Sequence, residues 1–267
     1  MRTRAKATVF LGGGRITSAL VAGLRLAKYD EPIVVHDLHR SKLRELKNQY
    51  CVTVELNLHQ AVEQAGLLII AVRPDSVSEL LQKIKINSPL TVVSLAAGVP
   101  ISNLRARLGP PAQWARPMPS PVCRIGRGLT ALTFDQTFSR ATKSKVERLF
   151  EQVGSVFEIP ERQFDPFTVT FSSSHGYHAL ATLATAAERL GLNRNTALTA
   201  AAHALADGIF SWREGNVPLD QLIQEATTPG GIAAGTMQAM DSSGYERIIE
   251  KGLRAGMARA RKNAKLS

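Results

Sequence analysis

The 267-residue chain is longer than one compact core usually takes, so two domains are expected, and its 44% hydrophobic and 21% charged content excludes a largely disordered protein. No uncharged apolar run approaches the roughly 20 residues that a membrane helix needs. The net charge of +11 is dispersed, with mild clusters only at Arg2, Arg4 and Lys6 and at Arg254, Arg259, Arg261, Lys262 and Lys265, which fits solvated helix ends and an anionic cofactor better than a nucleic-acid surface.

In chain order, the opening MRTRAKATVFLGGG passes from basic residues directly into a strand over 8–11, so no leader is expected. A helix is predicted over 16–28, a strand over 32–37, a helix over 41–49, a short strand over 52–55 and a helix over 58–64. The alternation resumes with a strand over 67–72, a helix over 77–84, a strand over 91–95, a helix over 101–108 and a strand over 113–115. Strands of near-continuous Val, Ile and Leu between helices predict a parallel sheet covered on both faces, a doubly wound α/β domain of Rossmann type. Strands over 129–134 and 155–158 flank a helix over 140–152 that ends at Gly154, completing a dinucleotide-binding domain over 1–163.

From about Phe164 the apolar period becomes helical, with helices predicted over 179–190, 194–210, 219–225, 231–240 and 244–261. An all-helical dimerisation and substrate domain over 164–267 is therefore expected. In 197–206 (ALTAAAHALA) small residues cover nearly the whole helix surface, which lets helices approach closely and points to an intertwined homodimer, or a higher homo-oligomer. Cys51 and Cys123 lie far apart with no C-x-x-C and no neighbouring histidines, which suits a reducing cytoplasm and argues against a metal. Neither a nucleic acid nor a membrane is expected as a partner.

Gly12-Gly13-Gly14-Arg15-Ile16-Thr17 follows a predicted strand and opens a predicted helix, the context that makes a glycine string a dinucleotide fingerprint. Gly12 would make the tight turn and Gly14 would let the backbone approach the pyrophosphate, with Thr17 where a Gly or Ala often packs helix on strand. Asp37, at the end of the second strand, is placed to accept from the adenosine ribose hydroxyls, which gives NAD a slight preference over NADP. His39 and Arg40 argue the other way, since either cation can pair with a 2′-phosphate, and Asp37 can also be read as the N-cap of the next helix. Asn57 is a weaker candidate for the ribose.

Ala71-Val72-Arg73-Pro74 resembles the A-V-K-P motif of the pyrroline-5-carboxylate reductases, and Ser94-Leu95-Ala96-Ala97-Gly98-Val99 resembles their S-x-A-A-G-hydrophobic motif. Arg116-Pro117-Met118-Pro119-Ser120 is similar to their R-x-M-P-N, Gly128-Leu129-Thr130-Ala131-Leu132 to G-M-T-A-L, and Thr228-Pro229-Gly230-Gly231 to S-P-G-G. The resemblance runs from about Thr8 to Arg261. It implies a small-molecule imine substrate: a cyclic imine carboxylate takes hydride from a nicotinamide to give L-proline, in a site completed by interlocked helices of two subunits. By position it implies that Gly12, Gly13, Gly14, Arg15, Ile16, Ala71, Val72, Arg73, Pro74, Ala96, Ala97, Gly98, Met118 and Pro119 line the cofactor. Thr228, Pro229, Gly230 and Gly231 would hold the substrate, because open backbone N–H groups at a helix start bind a carboxylate well.

The chain departs from the family around the substrate. Ile232 and Ala233 stand where one or two threonines are usual, and Thr236, one turn on, can partly substitute. Ser172, Ser173 and His175 fall on the S-G-x-G-P-A-Y-like segment, with His175 in the place of the tyrosine; an imidazole there can protonate or orient an imine nitrogen, or it can serve the helix start instead. Ser120 replaces an asparagine, and Ala181 an acid. These changes keep two alternatives open: a reductase of a different imine or keto substrate, and a dinucleotide-binding sensor or scaffold without catalysis. His178 and His203 read as core or interface histidines, and Trp114 and Trp212 as packing residues.

Overall fold

The structure is a computed structural model that describes residues 6–266; Arg2 and Arg4 of the amino-terminal basic cluster lie outside them. By contacts, the described chain forms two compact units, 6–171 together with 256–266, and 172–255.

The first unit alternates β1 (Ala7–Leu11), α1 (Arg15–Leu26), β2 (Ile33–His36), α2 (Arg40–Tyr50), β3 (Thr53–Val54), α3 (Leu58–Glu63), β4 (Ala65–Ile70), α4 (Pro74–Gln82), β5 (Leu90–Ser94), α5 (Ile101–Arg107) and β6 (Ala112–Pro119). It continues with β7 (Gly128–Phe134), α6 (Arg140–Glu151), β8 (Gly154–Glu158) and α7 (Glu161–Thr170). The eight strands form one sheet in the order β3-β2-β1-β4-β5-β6-β7-β8. Its period-2 alternation sends Phe10 of β1 into the core on one face, with Leu20, Leu24 and Leu43, and Val9 and Leu11 into the core on the other, with Leu68, Ile70 and Trp114. Trp114 is fully buried and its Nε1 donates to the Leu108 carbonyl at 2.8 Å.

Two features differ from the expected parallel sheet. β7 runs antiparallel to β6, because only a 3₁₀ turn, Pro121–Ile125, and Gly126 in the left-handed region (φ +70°) join them, too short a link for a crossover helix. β6 also continues to Pro119 rather than ending at residue 115. Its partner β5 stops opposite Ala115, so the missing N–H groups of Pro117 and Pro119 cost that side of the ladder nothing.

The longer β6 carries Arg116 into the interior, where its side chain is 2% exposed. Nη1 donates to Glu161 Oε1 at 2.7 Å, Nη2 donates to Asp165 Oδ1 at 2.8 Å, and the guanidinium lies 4.4 Å from the Phe164 ring centre. Glu161 Oε1 also accepts the Ile101 amide at 3.1 Å. One cation thus ties β6, α7 and the start of α5 together.

The second unit comprises α8 (Ser173–Arg189), α9 (Arg194–Gly215), α10 (Leu219–Ala226), α11 (Ile232–Ser242) and the first half of α12 (Tyr245–Leu266), whose residues from Gly256 on belong to the first unit. α8 begins at Ser173, six residues before the expected 179, because Ser, His and Gly carry no apolar period there. Its own core is small: Ala184, Ala197 and Ala201 with Leu180, Ala187 and Leu198. Large apolar side chains stay outside it, among them Leu190, Phe210, Ile248 and, half exposed rather than packed, Trp212. His178 and His203 are exposed, so neither is a core histidine of this chain. Among the described residues no helix is long and apolar enough to cross a membrane.

Replacing Arg116 with Leu leaves two carboxylates facing an apolar wall and should lower stability by roughly 2–4 kcal/mol. Urea denaturation at fixed protein concentration measures this; a loss below about 1 kcal/mol would show that the ion-pair network does not hold the three elements together.

Candidate functional site

The glycine turn sits at the carboxyl end of β1, between β2 and β4. Gly12 has φ +114°, and a Cβ there would lie 2.7 Å from the carbonyl carbon and oxygen of Ala71, so both its conformation and its space exclude a side chain. Thr17, fully buried, donates its hydroxyl to the Gly12 carbonyl at 2.6 Å and locks the turn. Gly14 forms the N-cap of α1 with nothing within 4 Å of where a Cβ would be; no side chain caps the helix and no acid occupies its first turn. The first-turn amides beside the exposed Arg15 therefore fit a pyrophosphate.

Asp37 braces the glycine turn. Its Oδ2 accepts the Gly13 amide at 2.7 Å, and its Oδ1 accepts the His39 amide at 2.7 Å and faces His39 Nδ1 at 2.9 Å, with Lys42 Nζ 3.4 Å from Oδ2. The N-cap of α2 is His39, not Asp37. Burial pushes the carboxyl pKa up, but the amide bonds from Gly13 and His39, the His39 ring and Lys42 together outweigh it and hold the carboxyl below its ordinary value. His39 and Lys42 flank it, with side chains 68% and 43% exposed, and Arg40 follows His39 at the start of α2. Asn57 accepts the Gln60 amide through Oδ1 at 3.1 Å and so caps α3.

The ends of the neighbouring strands follow. Ala71 and Val72 follow β4 and lead to exposed Arg73, the N-cap of α4, with Pro74 at its first position. Ala96, Ala97 and Gly98 follow β5, and Met118, Pro119 and Ser120 end β6, where Met118 packs on Ala131, Ile159 and Phe164. Gly12, Gly13, Asp37 and Ala71 are thus in direct contact, and the segments after β4, β5 and β6 emerge from adjacent strands on the same edge of the sheet.

In the helical unit, Gly230 takes φ +77° with open space around it, and the Gly231 amide donates to the Thr228 carbonyl at 2.9 Å, closing a turn that includes Pro229. Gly231 is the N-cap of α11, again with no side-chain cap and no acid in the first turn. Ile232 is 92% exposed and Ala233 is exposed. The Thr236 hydroxyl donates to the Ile232 carbonyl at 3.0 Å. Ser172 forms the N-cap of α8 with its hydroxyl 2.7 Å from that of Ser174, and the His175 amide, two residues past Ser173, donates to the Ser172 carbonyl at 3.0 Å.

Residues 161–263 match the family described as pyrroline-5-carboxylate reductase dimerisation, and residues 8–98 match the family described as NADP oxidoreductase, coenzyme F420-dependent. Over nearly its whole length the chain is similar to pyrroline-5-carboxylate reductases, and its second half matches their dimerisation domain. It is 27% identical over 277 aligned positions to a pyrroline-5-carboxylate reductase of Mycobacterium leprae, covering 94% of each chain. It is similar in structure to a pyrroline-5-carboxylate reductase of Coxiella burnetii (25% identity, TM-score 0.84, 97% of this chain and 99% of the other). It shares the fold of a pyrroline carboxylate reductase of Plasmodium falciparum with NADP bound (19% identity, TM-score 0.86, 98% and 99% covered). A dimerisation domain accounts for the apolar side chains left outside the helical unit's own small core: this pyrroline-5-carboxylate reductase relative is built to homo-oligomerise.

The residues that sequence reasoning passed over are those that hold the site rather than line it. Arg116 was visible only as a letter in a motif, and Glu161, Asp165, Asn103 and Asn263 carried no signal, because their partners are remote in sequence. Removing the Asp37 acceptor with Asp37→Ala should cost about 1–3 kcal/mol at pH 7. Because the folded carboxyl pKa is depressed, that contribution is present above its unfolded value of about 3.9 and fades as pH falls through the folded one. The gap between the urea midpoints of wild type and variant should stay constant from pH 7 to about 4 and narrow as the pH falls further; a gap that does not narrow below that pH would mean that the charge of Asp37 does not hold the turn.

Proposed function

We propose that this chain reduces pyrroline-5-carboxylate to L-proline, as a homodimeric NAD(P)H-dependent reductase of the cytoplasm. The observation that carries the reading is the start of α11: Gly230 and Gly231 leave first-turn amides open, in a stretch matched to this family, where a substrate carboxylate can be received. The glycine turn of the first unit supports it, since Gly12 fits against Ala71 and Gly14 leaves room at the α1 amides for a dinucleotide pyrophosphate.

When bound there, a reduced nicotinamide supplies the hydride that the imine carbon receives. Ala71 to Pro74, Ala96 to Gly98, Met118 and Pro119 border the cofactor and exclude water, and Ser120, Ser172, Ser173 and Thr228 to Ala233 hold the substrate, with its carboxylate at the start of α11. The ring nitrogen gains a proton as the carbon gains hydride. His175 is the group assigned to deliver it, with the Thr236 hydroxyl, one turn from Ile232, orienting the nitrogen. Exposed Ile232 beside the open amides favours a second reading, a substrate that places an apolar group there in addition to its carboxylate.

For the cofactor, Asp37 has its oxygens engaged by Gly13, His39 and Lys42, which weakens the case for a ribose acceptor and hence for NAD. His39, Arg40 and Lys42 suit a 2′-phosphate, and NADPH is the preferred donor in this reading. Two free cysteines accord with a reducing compartment.

Oxidation of NADPH and NADH by the purified protein with pyrroline-5-carboxylate, followed by absorbance, tests this. Turnover faster with NADPH and lost in Gly230→Trp while dinucleotide binding survives is the expected result, with His175→Gln lowering kcat by about 10²-fold or more. Dinucleotide binding without turnover would overturn the substrate assignment and turn the search to other imines, ketones and a sensor role.

A further inference from the structure

The last turns of α12 belong to the same compact unit as the sheet and seat on the loop after β5. Asn263 Nδ2 donates to the Ala97 carbonyl at 3.0 Å. From the other direction, Asn103 Nδ2 of α5 donates to the Ala264 carbonyl at 2.6 Å, supplying a donor to a last-turn carbonyl that the helix itself cannot satisfy. Gly98 (φ +77°) permits the approach: a Cβ there would lie 2.7 Å from the Ala260 carbonyl oxygen and 2.8 Å from its Cα. Gly256 brings the helix equally close to Val169 of α7.

Two of these contacts, Asn263 on Ala97 and Ala260 against Gly98, fall on the loop itself, while Asn103 of α5 and Val169 of α7 seat the same helix on either side of it. Gly98 is accordingly a packing glycine, whose missing side chain makes room for a helix rather than for a ligand. Asp37 and β2 lie on one side of the glycine turn and β4 and β5 on the other. An adenosine half directed toward β2 sends the nicotinamide half toward the loop of residues 96–98.

We propose that the end of α12 is a clasp that sets the position of residues 96–98 against the nicotinamide half of the dinucleotide, with Asn263 as its positioning residue. The inference rests on the cofactor reading given above. Asn263 touches no reacting atom; it fixes where the Ala97 peptide stands, and small displacements of a reacting group's wall are costly in rate.

The test compares Asn263→Ala with wild type in binding NADPH, followed by nicotinamide fluorescence, and adenosine 2′,5′-bisphosphate, which lacks the nicotinamide, followed by calorimetry. Loss of the amide should weaken NADPH about tenfold, leave the bisphosphate within about twofold, and lower kcat with pyrroline-5-carboxylate while its KM is unchanged. Asn103→Ala, which loosens the same clasp from the other side, carries the test if the first variant does not fold. Equal weakening of both ligands, or weakening of neither, would overturn the clasp. A wild-type protein that binds neither ligand would instead overturn the cofactor reading beneath it.

Discussion

The close approach of Gly12 to the end of β4 is the constraint on which the site depends. A backbone at φ +114° with the Ala71 carbonyl 2.7 Å from any Cβ admits glycine alone, and it turns the chain from β1 into α1 with the helix start facing outward from the sheet edge. Everything nearby holds that turn in place: Thr17 fixes the Gly12 carbonyl, and Asp37 fixes the Gly13 amide. The result is a set of backbone donors fixed during folding, which suits an anion because the cost of ordering them is not met on binding.

A second level of organisation acts at a distance from the ligand. Arg116 binds β6 to α7, and through Glu161 to the first amide of α5, so the segments after β5 and β6 are set by one buried cation. Asn263 joins the end of α12 to the loop after β5, and Asn103 joins it to α5. The helical unit is constructed on the opposite principle. With a core of three alanines and their neighbours, it leaves Leu190, Phe210, Trp212 and Ile248 uncovered, as suits a dimerisation domain.

What the sequence disclosed follows from what is local. Near-continuous apolar runs made β1, β4 and β5 legible because parallel strands are buried on both faces, and the glycine string was legible because it lay between a strand and a helix. The order of five short motifs identified the family. The reversal of β7 and the continuation of β6 through Pro117 and Pro119 were hidden, because prolines normally argue against a strand and are tolerated here only where β5 has ended. α7 escaped notice because Pro160 and Pro166 punctuate it. Asp37 was read from its position alone, and position does not reveal that its oxygens already serve Gly13 and His39. Asn263 acts across 166 residues and leaves no local pattern at all.

The central claim is that this chain moves a hydride from a nicotinamide to the imine carbon of pyrroline-5-carboxylate. The most direct measurement is to supply NADPH deuterated at the transferable position of C4 and to analyse the product by mass spectrometry and NMR. The account predicts L-proline carrying one deuterium at the former imine carbon, with the nitrogen proton drawn from water. Deuterium retained in the dinucleotide, or lost to water with no labelled proline, would contradict it.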